Sequence, residues 1–378
     1  MRITICAAVL GSSLALAATA ADELPSRERM PPLQLAETVE LFAAMLSADG
    51  KYLVTGSRQS YRDNAMREAT HAALTLWDVQ GGKVLGRGHL KSPYDMYDRG
   101  AGPRVVALGF GGDGKTLLVY TETRFVELLS FPGLEPQGVI DVKKSNSHWY
   151  RAGAFSPDGA YLALGGNDGE IALWSIAERA LVKSWKGHEK AINELTFAPD
   201  GQVLAAGGDE DVVRLWSVPK GKELREIDDL EGAVIGLTFS PDGALLAIGS
   251  RLKGSGGLVR LWSVPRKRFV AEKQCMVLFP VLRLSFSPDG KRLAYGCSTF
   301  LETGTSLVRV LDVEAGKIVA TLHHETMTNG VHYAADGQQL ITTQKNPLNT
   351  TVPRQSIAVW SIEPPKFLNY LHDPGAKP

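Results

Sequence analysis

Short runs of alternating apolar and polar residues, broken by strong turn signals, recur along almost the whole chain. The stretch 192–226 shows the pattern at its clearest. Apolar runs at Leu195–Phe197, Val203–Ala206 and Val212–Trp216 are separated by Ala-Pro-Asp-Gly and Gly-Gly-Asp-Glu and followed by Pro-Lys-Gly. Side chains alternate faces along a strand, and Pro, Asp and Gly favour chain reversal, so runs this short predict antiparallel strands.

The Asp-Gly pair of this unit returns at Gly50, Gly114, Gly159, Gly201, Gly243, Gly290 and Gly337, at spacings of 64, 45, 42, 42, 47 and 47 residues. A strand-built period of about 40–50 residues points to stacked sheets, because one small sheet cannot cover both its own faces. The third strand of the unit ends on Trp77-Asp78, on Trp-Ser at Trp174, Trp216, Trp262 and Trp360, on Leu311-Asp312 in the sixth unit and on Leu129-Ser130 in the second. Over residues 33–372 this resembles the WD40 repeat family in a secreted, bacterial-type form. The resemblance implies an all-β fold, a single seven-bladed β-propeller of four-stranded antiparallel blades, expected as a monomeric ring.

In that family each blade is often tied by a His, a Ser or Thr, an Asp and the Trp. Here Gly-His occurs at Gly88-His89 and Gly187-His188, and Asp168, six residues before Trp174, matches the family's Asp position. Second strands reading Leu-Ala-Leu-Gly-Gly or Leu-Ala-Ala-Gly-Gly lack the hydroxyl. Apolar packing between sheets, with Trp77, Trp174, Trp216, Trp262 and Trp360 as large buried plates, is therefore expected to hold the blades, helped by Asp168 and His188.

At the start of the chain, Arg2 precedes an apolar stretch, 3–16, then small residues to Ala21 and the acidic Asp22-Glu23. This reads as a secretory signal over residues 1–20 with Ala18-Thr19-Ala20 at the cleavage site, and it is short for a membrane span of about 20 residues. A polar, Pro-rich leader at 21–32, the ring at 33–372 and a tail at 373–378 complete the layout. An exported protein, periplasmic or extracellular, follows, with no membrane span once the signal is removed. Either 33–38 or 366–372 supplies the last outer strand. Forty-one basic and forty-one acidic residues balance, so charge gives no reason to expect nucleic acid.

First-to-second strand turns (Ser-Ala-Asp-Gly, Ser-Pro-Asp-Gly, Ala-Pro-Asp-Gly) and third-to-fourth turns are uniformly short, and in a WD40-like ring they share one face. Insertions at 58–72, 90–104, 251–257, 298–306 and 344–355 all belong to the other face, in blades 5, 6, 7 and 1. Long loops on a rigid frame are where binding concentrates. Tyr61, Arg62, Arg67, His71, Tyr94, Tyr97, Asp98, Arg99, Phe300, Asn349 and Arg354 form the candidate surface for a protein partner, Tyr and Arg being favoured at interfaces. A non-catalytic interaction scaffold is the leading expectation. The alternative is a propeller enzyme or small-ligand binder with its site at the channel mouth.

Other chemistry is weakly signalled. Gly109 to Thr116 fits the phosphate-loop expression but falls where a hairpin is expected, without the helix whose amino end such a loop needs. His323 and His324 are adjacent on a strand and face opposite ways. Asp209-Glu210-Asp211 reads as a solvated turn, and Arg266-Lys267-Arg268 as a solubilising one. Nucleophile-elbow, zinc-protease and Cys-x-x-Cys motifs are absent from the sequence, so no catalytic residue, metal ligand or cofactor is assigned. The resemblance brings Cys275 and Cys297 together on the long-loop face, as a disulfide or as two buried thiols. Asn349-Thr350-Thr351 fits the N-glycosylation pattern.

Overall fold

The computed structural model describes residues 39–62, 68–90, 104–142, 150–253, 256–275, 281–298, 306–324, 327–345, 355–363 and 365–371. These hold twenty-eight strands, β1 to β28, and each successive group of four forms one antiparallel sheet in sequence order. The seven sheets, blades 1 to 7, occupy 39–89, 105–141, 150–186, 192–227, 232–275, 281–324 and 327–371. The first strands, β1 (Val39–Leu46), β5 (Val105–Phe110), β9 (Tyr150–Phe155), β13 (Ile192–Phe197), β17 (Gly232–Phe239), β21 (Val281–Phe286) and β25 (Met327–Tyr333), each touch the first strands of both neighbouring blades. Because β1 also meets β25, the circle closes around a central channel. The chain is a seven-bladed β-propeller.

Blade 7 takes its outer strand, β28 (Pro365–Leu371), from the end of the chain, so the later of the two candidate segments fills that place. Residues 33–38 lie outside the described residues, as does the whole stretch read as signal and leader.

Burial explains the strand patterns. Second strands are covered on both faces by neighbouring blades and read as unbroken apolar runs, as in Tyr161–Gly166 and Val203–Gly208. Outer strands have one face in water and alternate, as in Lys317–His324. The core is divided among the gaps between blades. Leu204 and Ala206 of blade 4 pack with Ala163, Ile171 and Leu173 of blade 3. Leu53 and Trp77 of blade 1 pack with Ile341, Ile357 and Val359 of blade 7, closing the ring with the same contact. Each fully buried Leu contributes roughly 1.5–3 kcal/mol.

Four of the seven Asp-Gly turns share one side-chain hydrogen-bond scheme. Ser47, Ser156, Ser240 and Ser287 donate their hydroxyls to Asp49, Asp158, Asp242 and Asp289 at 2.5–2.6 Å, and each carboxylate also accepts the amide two residues on. The glycine that follows each Asp takes φ of +68° to +71°, a region open to glycine at little cost. These bonds hold the four carboxyls below the ordinary Asp range, the serine hydroxyl being the main cause. The phosphate-loop lookalike is one of these hairpins: Asp113 accepts the amides of Lys115 and Thr116, and Thr116 opens the next strand.

The tryptophans divide into two groups. Trp77 and Trp360 donate their indole N–H to Thr55 (2.9 Å) and Thr342 (3.1 Å), on the neighbouring second strand. In blades 3, 4 and 5 the equivalent positions are Leu164, Ala206 and Ile248, and the buried indole N–H groups of Trp174, Trp216 and Trp262 have no partner. The missing hydroxyl read from the sequence thus applies to the middle blades, whereas blades 1 and 7 retain it.

Candidate functional site

Second-to-third strand connections, and the links between blades, leave the ring at the end opposite the Asp-Gly turns. All five insertions are of these kinds, so antiparallel topology alone gathers them on one face. The insertion at 58–72 is largely strand rather than open loop. Strands Tyr52–Arg62 and Glu68–Asp78 stay paired to Arg62 opposite Glu68, forming the longest paired ribbon among the described residues. Tyr61, Arg62 and His71 belong to its backbone. Arg67, Tyr94, Tyr97, Asp98, Arg99, Phe300, Asn349 and Arg354 lie outside the described residues.

The acidic turn 209–211 departs from the solvated turn expected of it. Glu210, six residues before Trp216, takes the position that Asp168 holds in blade 3. Its Oε2 lies 2.8 Å from His188 Nδ1 and accepts from Arg214 at 2.8 Å, while Oε1 accepts the Glu189 amide at 2.7 Å. Burial alone would raise the Glu210 carboxyl, but these three donors hold it below the ordinary value. His188 is fully buried with Nε2 3.1 Å from the Ala206 carbonyl, and burial keeps its pKa down despite Glu210. The Asp168 carboxylate accepts the Glu170 amide of its own turn, and its carbonyl accepts from Lys186. Neighbouring Asp209 pairs with Arg151 and accepts from Asn193, tying blades 3 and 4 at the channel rim. Asp211 pairs with Lys253 across the gap to blade 5. Lys190, Asp209, Glu210, Asp211, Arg214 and Lys253 line a charged groove of about 720 Å³ on the long-loop face.

Cys275, closing the outer strand of blade 5, is disulfide-bonded to Cys297 on the second strand of blade 6, with Cα atoms 5.9 Å apart. The bridge pins the two blades together beside the insertions 251–257 and 298–306. His323 is exposed and His324 buried, on opposite faces of their strand. Among the described residues no group of three His, Cys, Asp or Glu side chains is arranged to hold a metal ion.

The channel carries a polar group that reading each motif alone did not find. Every first strand has a β-bulge at the same level, just inside the long-loop end, and bulges re-aim the side chains beside them. Six residues before the turn Asp, the seven strands present Ala43, Ala107, Ala152, Glu194, Gly236, Arg283 and Gly330. Arg283 Nη1 lies 3.5 Å from Glu194 Oε2. Their strands, β13 and β21, are separated by β17, so this ion pair reaches across the channel. His332 stands two residues further along β25 with its ring beside Gly330: a Cβ added there would sit 3.1 Å from its Nε2. Burial pushes the Glu194 carboxyl up to about 7, with Arg283 pulling the other way. Burial, aided by Arg283, lowers His332 to about 4 and keeps it neutral at pH 7.

With fold and sites in view, comparison with known families finds the WD domain, G-beta repeat (WD40) at residues 143–175, 179–217 and 221–263. These three stretches match the WD40 repeat. The first match covers the first three strands of blade 3, whereas the other two run out of step with the blades. The second begins just before the outer strand of blade 3 and ends on the third strand of blade 4, and the third is offset in the same way. A repeat offset by one strand ties each blade covalently to the next through its own sequence unit, which suits a ring whose core lies between blades.

Proposed function

We propose that this WD40 ring is a non-catalytic scaffold that binds a protein partner through the long-loop face of blades 5, 6, 7 and 1. The observation that carries the reading is the placement of all five insertions at one end of an otherwise uniform ring. Seven Asp-Gly turns keep the other end short and nearly identical, so sequence has been varied only where the frame does not depend on it. Tyr61, Arg62, Tyr94, Tyr97 and Arg99 supply the flat aromatic and guanidinium groups that dominate binding energy in such patches. Export belongs to the same proposal and rests on the apolar stretch at residues 3–16 followed by Ala18-Thr19-Ala20. Mass measurement of protein recovered from the exported fraction should give a chain beginning near Ala21; a chain retaining Met1 would refute cleavage, and absence of the protein from that fraction would refute export.

The interface is tested by replacing Tyr94 and Tyr97 together with Ser. A partner captured by the natural chain should bind at least ~10-fold more weakly, about 1.4 kcal/mol, with the melting temperature nearly unchanged because loop substitutions cost little. Unchanged binding would move the interface elsewhere, and a large fall in melting temperature would make these tyrosines part of the core.

A further inference from the structure

The gap between blades 4 and 5 is open at a place that the gap before it fills from within. Between blades 3 and 4, Trp185 of the outer strand of blade 3 lies 5.8 Å from the Trp216 ring and against Gly221 of the next blade's turn. Beside it Lys183 donates to the Lys220 carbonyl at 2.8 Å. One blade on, the same register puts Ile227 where Trp185 stands and Arg225 where Lys183 stands. Ile227 is fully buried in the core between blades 4 and 5, and outside it a groove of about 580 Å³ remains, lined by Trp262, Phe239, Leu215, Leu224 and Val203. That volume is within the range of about 300–1,000 Å³ usual for ligand sites. Leu224, on the outer-strand bulge, stands 51% exposed at its edge. Half-buried Arg225 and exposed Lys267 border the same groove, and among the described residues neither side chain makes an ion pair or a hydrogen bond. The acids on the border, Asp200 and Asp242, accept amides within their own turns. A half-buried guanidinium without an acceptor is unfavourable until one is supplied.

We propose that this groove docks an extended segment of a protein by one indole side chain, with a neighbouring Asp or Glu carboxylate of that segment on Arg225 and Lys267. The molecule itself supplies the template for the anchor. Trp185 shows that an indole fits between two blades beside a blade tryptophan, and Trp262 offers the counterpart of Trp216 with no such neighbour from the outer strand of blade 4. Aromatic pairs at this spacing gain more than their buried area alone provides, and a tryptophan seated in a pocket is a common anchor of protein interfaces. The guanidinium fork of Arg225 matches a carboxylate. Lys267 holds the turn position that Gly221 holds in blade 4, each amide bonding to a serine carbonyl, so its stem walls the groove on that side. The groove borders the Asp-Gly turns and shares no residue with the long-loop surface, so the inference does not rest on the reading of that surface.

Calorimetric titration of the protein at neutral pH tests it, with the end-blocked peptide Glu-Trp-Glu as probe and Glu-Ala-Glu and Gln-Trp-Gln as controls. Glu-Trp-Glu should bind, with Glu-Ala-Glu at least ~10-fold weaker, about 1.4 kcal/mol, and Gln-Trp-Gln weaker as well. Leu224→Ser should weaken Glu-Trp-Glu at least ~5-fold, about 1 kcal/mol, with the melting temperature nearly unchanged because the side chain stands at the surface. Arg225→Gln should erase the preference for Glu-Trp-Glu over Gln-Trp-Gln while the need for the indole persists. Shortening residues 58–72 and 90–104 should leave peptide binding as it was, which separates this groove from the long-loop surface. No binding of Glu-Trp-Glu, equal binding of Glu-Ala-Glu, indifference to both Leu224→Ser and Arg225→Gln, or loss of peptide binding with the shortened loops would each overturn the proposal.

Discussion

The two faces of this ring are made by the same twenty-eight strands and yet obey different rules. On the Asp-Gly face one turn is used again and again, with Ser, Asp and Gly in fixed roles and bond lengths agreeing within 0.1 Å across four blades for the Ser–Asp contact. On the long-loop face nearly every connection differs: a paired ribbon in blade 1, a His-Glu-Arg network in blade 4, a disulfide between blades 5 and 6. The contrast separates what a propeller needs in order to fold from what a particular propeller is free to change.

Perturbations of decreasing size sharpen that contrast. The largest effect belongs to neither face. Trp174 is buried to 1% exposure, and Trp174→Ala should cost about 3–5 kcal/mol by leaving a cavity between blades, read as a fall in unfolding midpoint in denaturant. Next comes Glu210→Ala, which strands buried His188 and takes from Arg214 one of its two carboxylate partners, Glu226 remaining; a loss of about 1–3 kcal/mol is expected. A negligible loss would mean that the network is solvated after all and that this part of the long-loop face carries no structural duty.

Thr55→Val tests the division among tryptophans. It should cost about 1 kcal/mol by orphaning the Trp77 indole N–H, bringing blade 1 to the state already present in blades 3, 4 and 5. A loss of several kcal/mol would show the hydroxyl to be more than a hydrogen-bond partner.

The smallest effects are pH-dependent and oppose each other. The turn aspartates have folded pKa values below the unfolded value of 3.8, so their stabilisation is present above 3.8 and lost as pH falls through the folded values. His332, at about 4 folded against 6.5 unfolded, likewise costs stability as pH drops from 6.5 towards 4. Glu194 runs the other way. With a folded value of about 7 against 4.5 unfolded, it contributes most below 4.5 and loses that contribution as pH rises to 7. Melting temperatures of the natural chain and Glu194→Gln should therefore diverge between pH 4.5 and 7, the natural chain losing relative stability as pH rises; parallel curves would refute the placement of Glu194 in a poorly solvated wall.

The fold was legible because it is written seven times. Alternation, Asp-Gly turns and terminal Trp residues each state the same local rule, and local rules suffice where every unit packs against a copy of itself. Two readings failed for one reason, reliance on composition without position. Asp209-Glu210-Asp211 looked like a solvated turn, yet its middle residue stands six before Trp216 with Gly187-His188 upstream, which is a tie within the blade. The insertion at 58–72 looked like a loop although Ser57, Gln59, Tyr61 and Thr70 suit an extended hairpin. Glu194, Arg283 and His332 were hidden because no motif contains them; they emerge only as exceptions in columns filled mostly by small residues, a signal that alignment of the seven units to one another would have exposed.

The division of labour between the faces is tested most directly by two variants measured side by side. In one, residues 58–72 and 90–104 are shortened to the repeat's ordinary connections; in the other, Asp158 and Asp242 of the Asp-Gly turns become Ala. Partner capture and melting temperature are recorded for both. The shortened ring should lose its partner and keep its melting temperature, while the turn variant should melt earlier and keep its partner. Retention of the partner by the shortened ring, or its loss from the turn variant while still folded, would contradict the account.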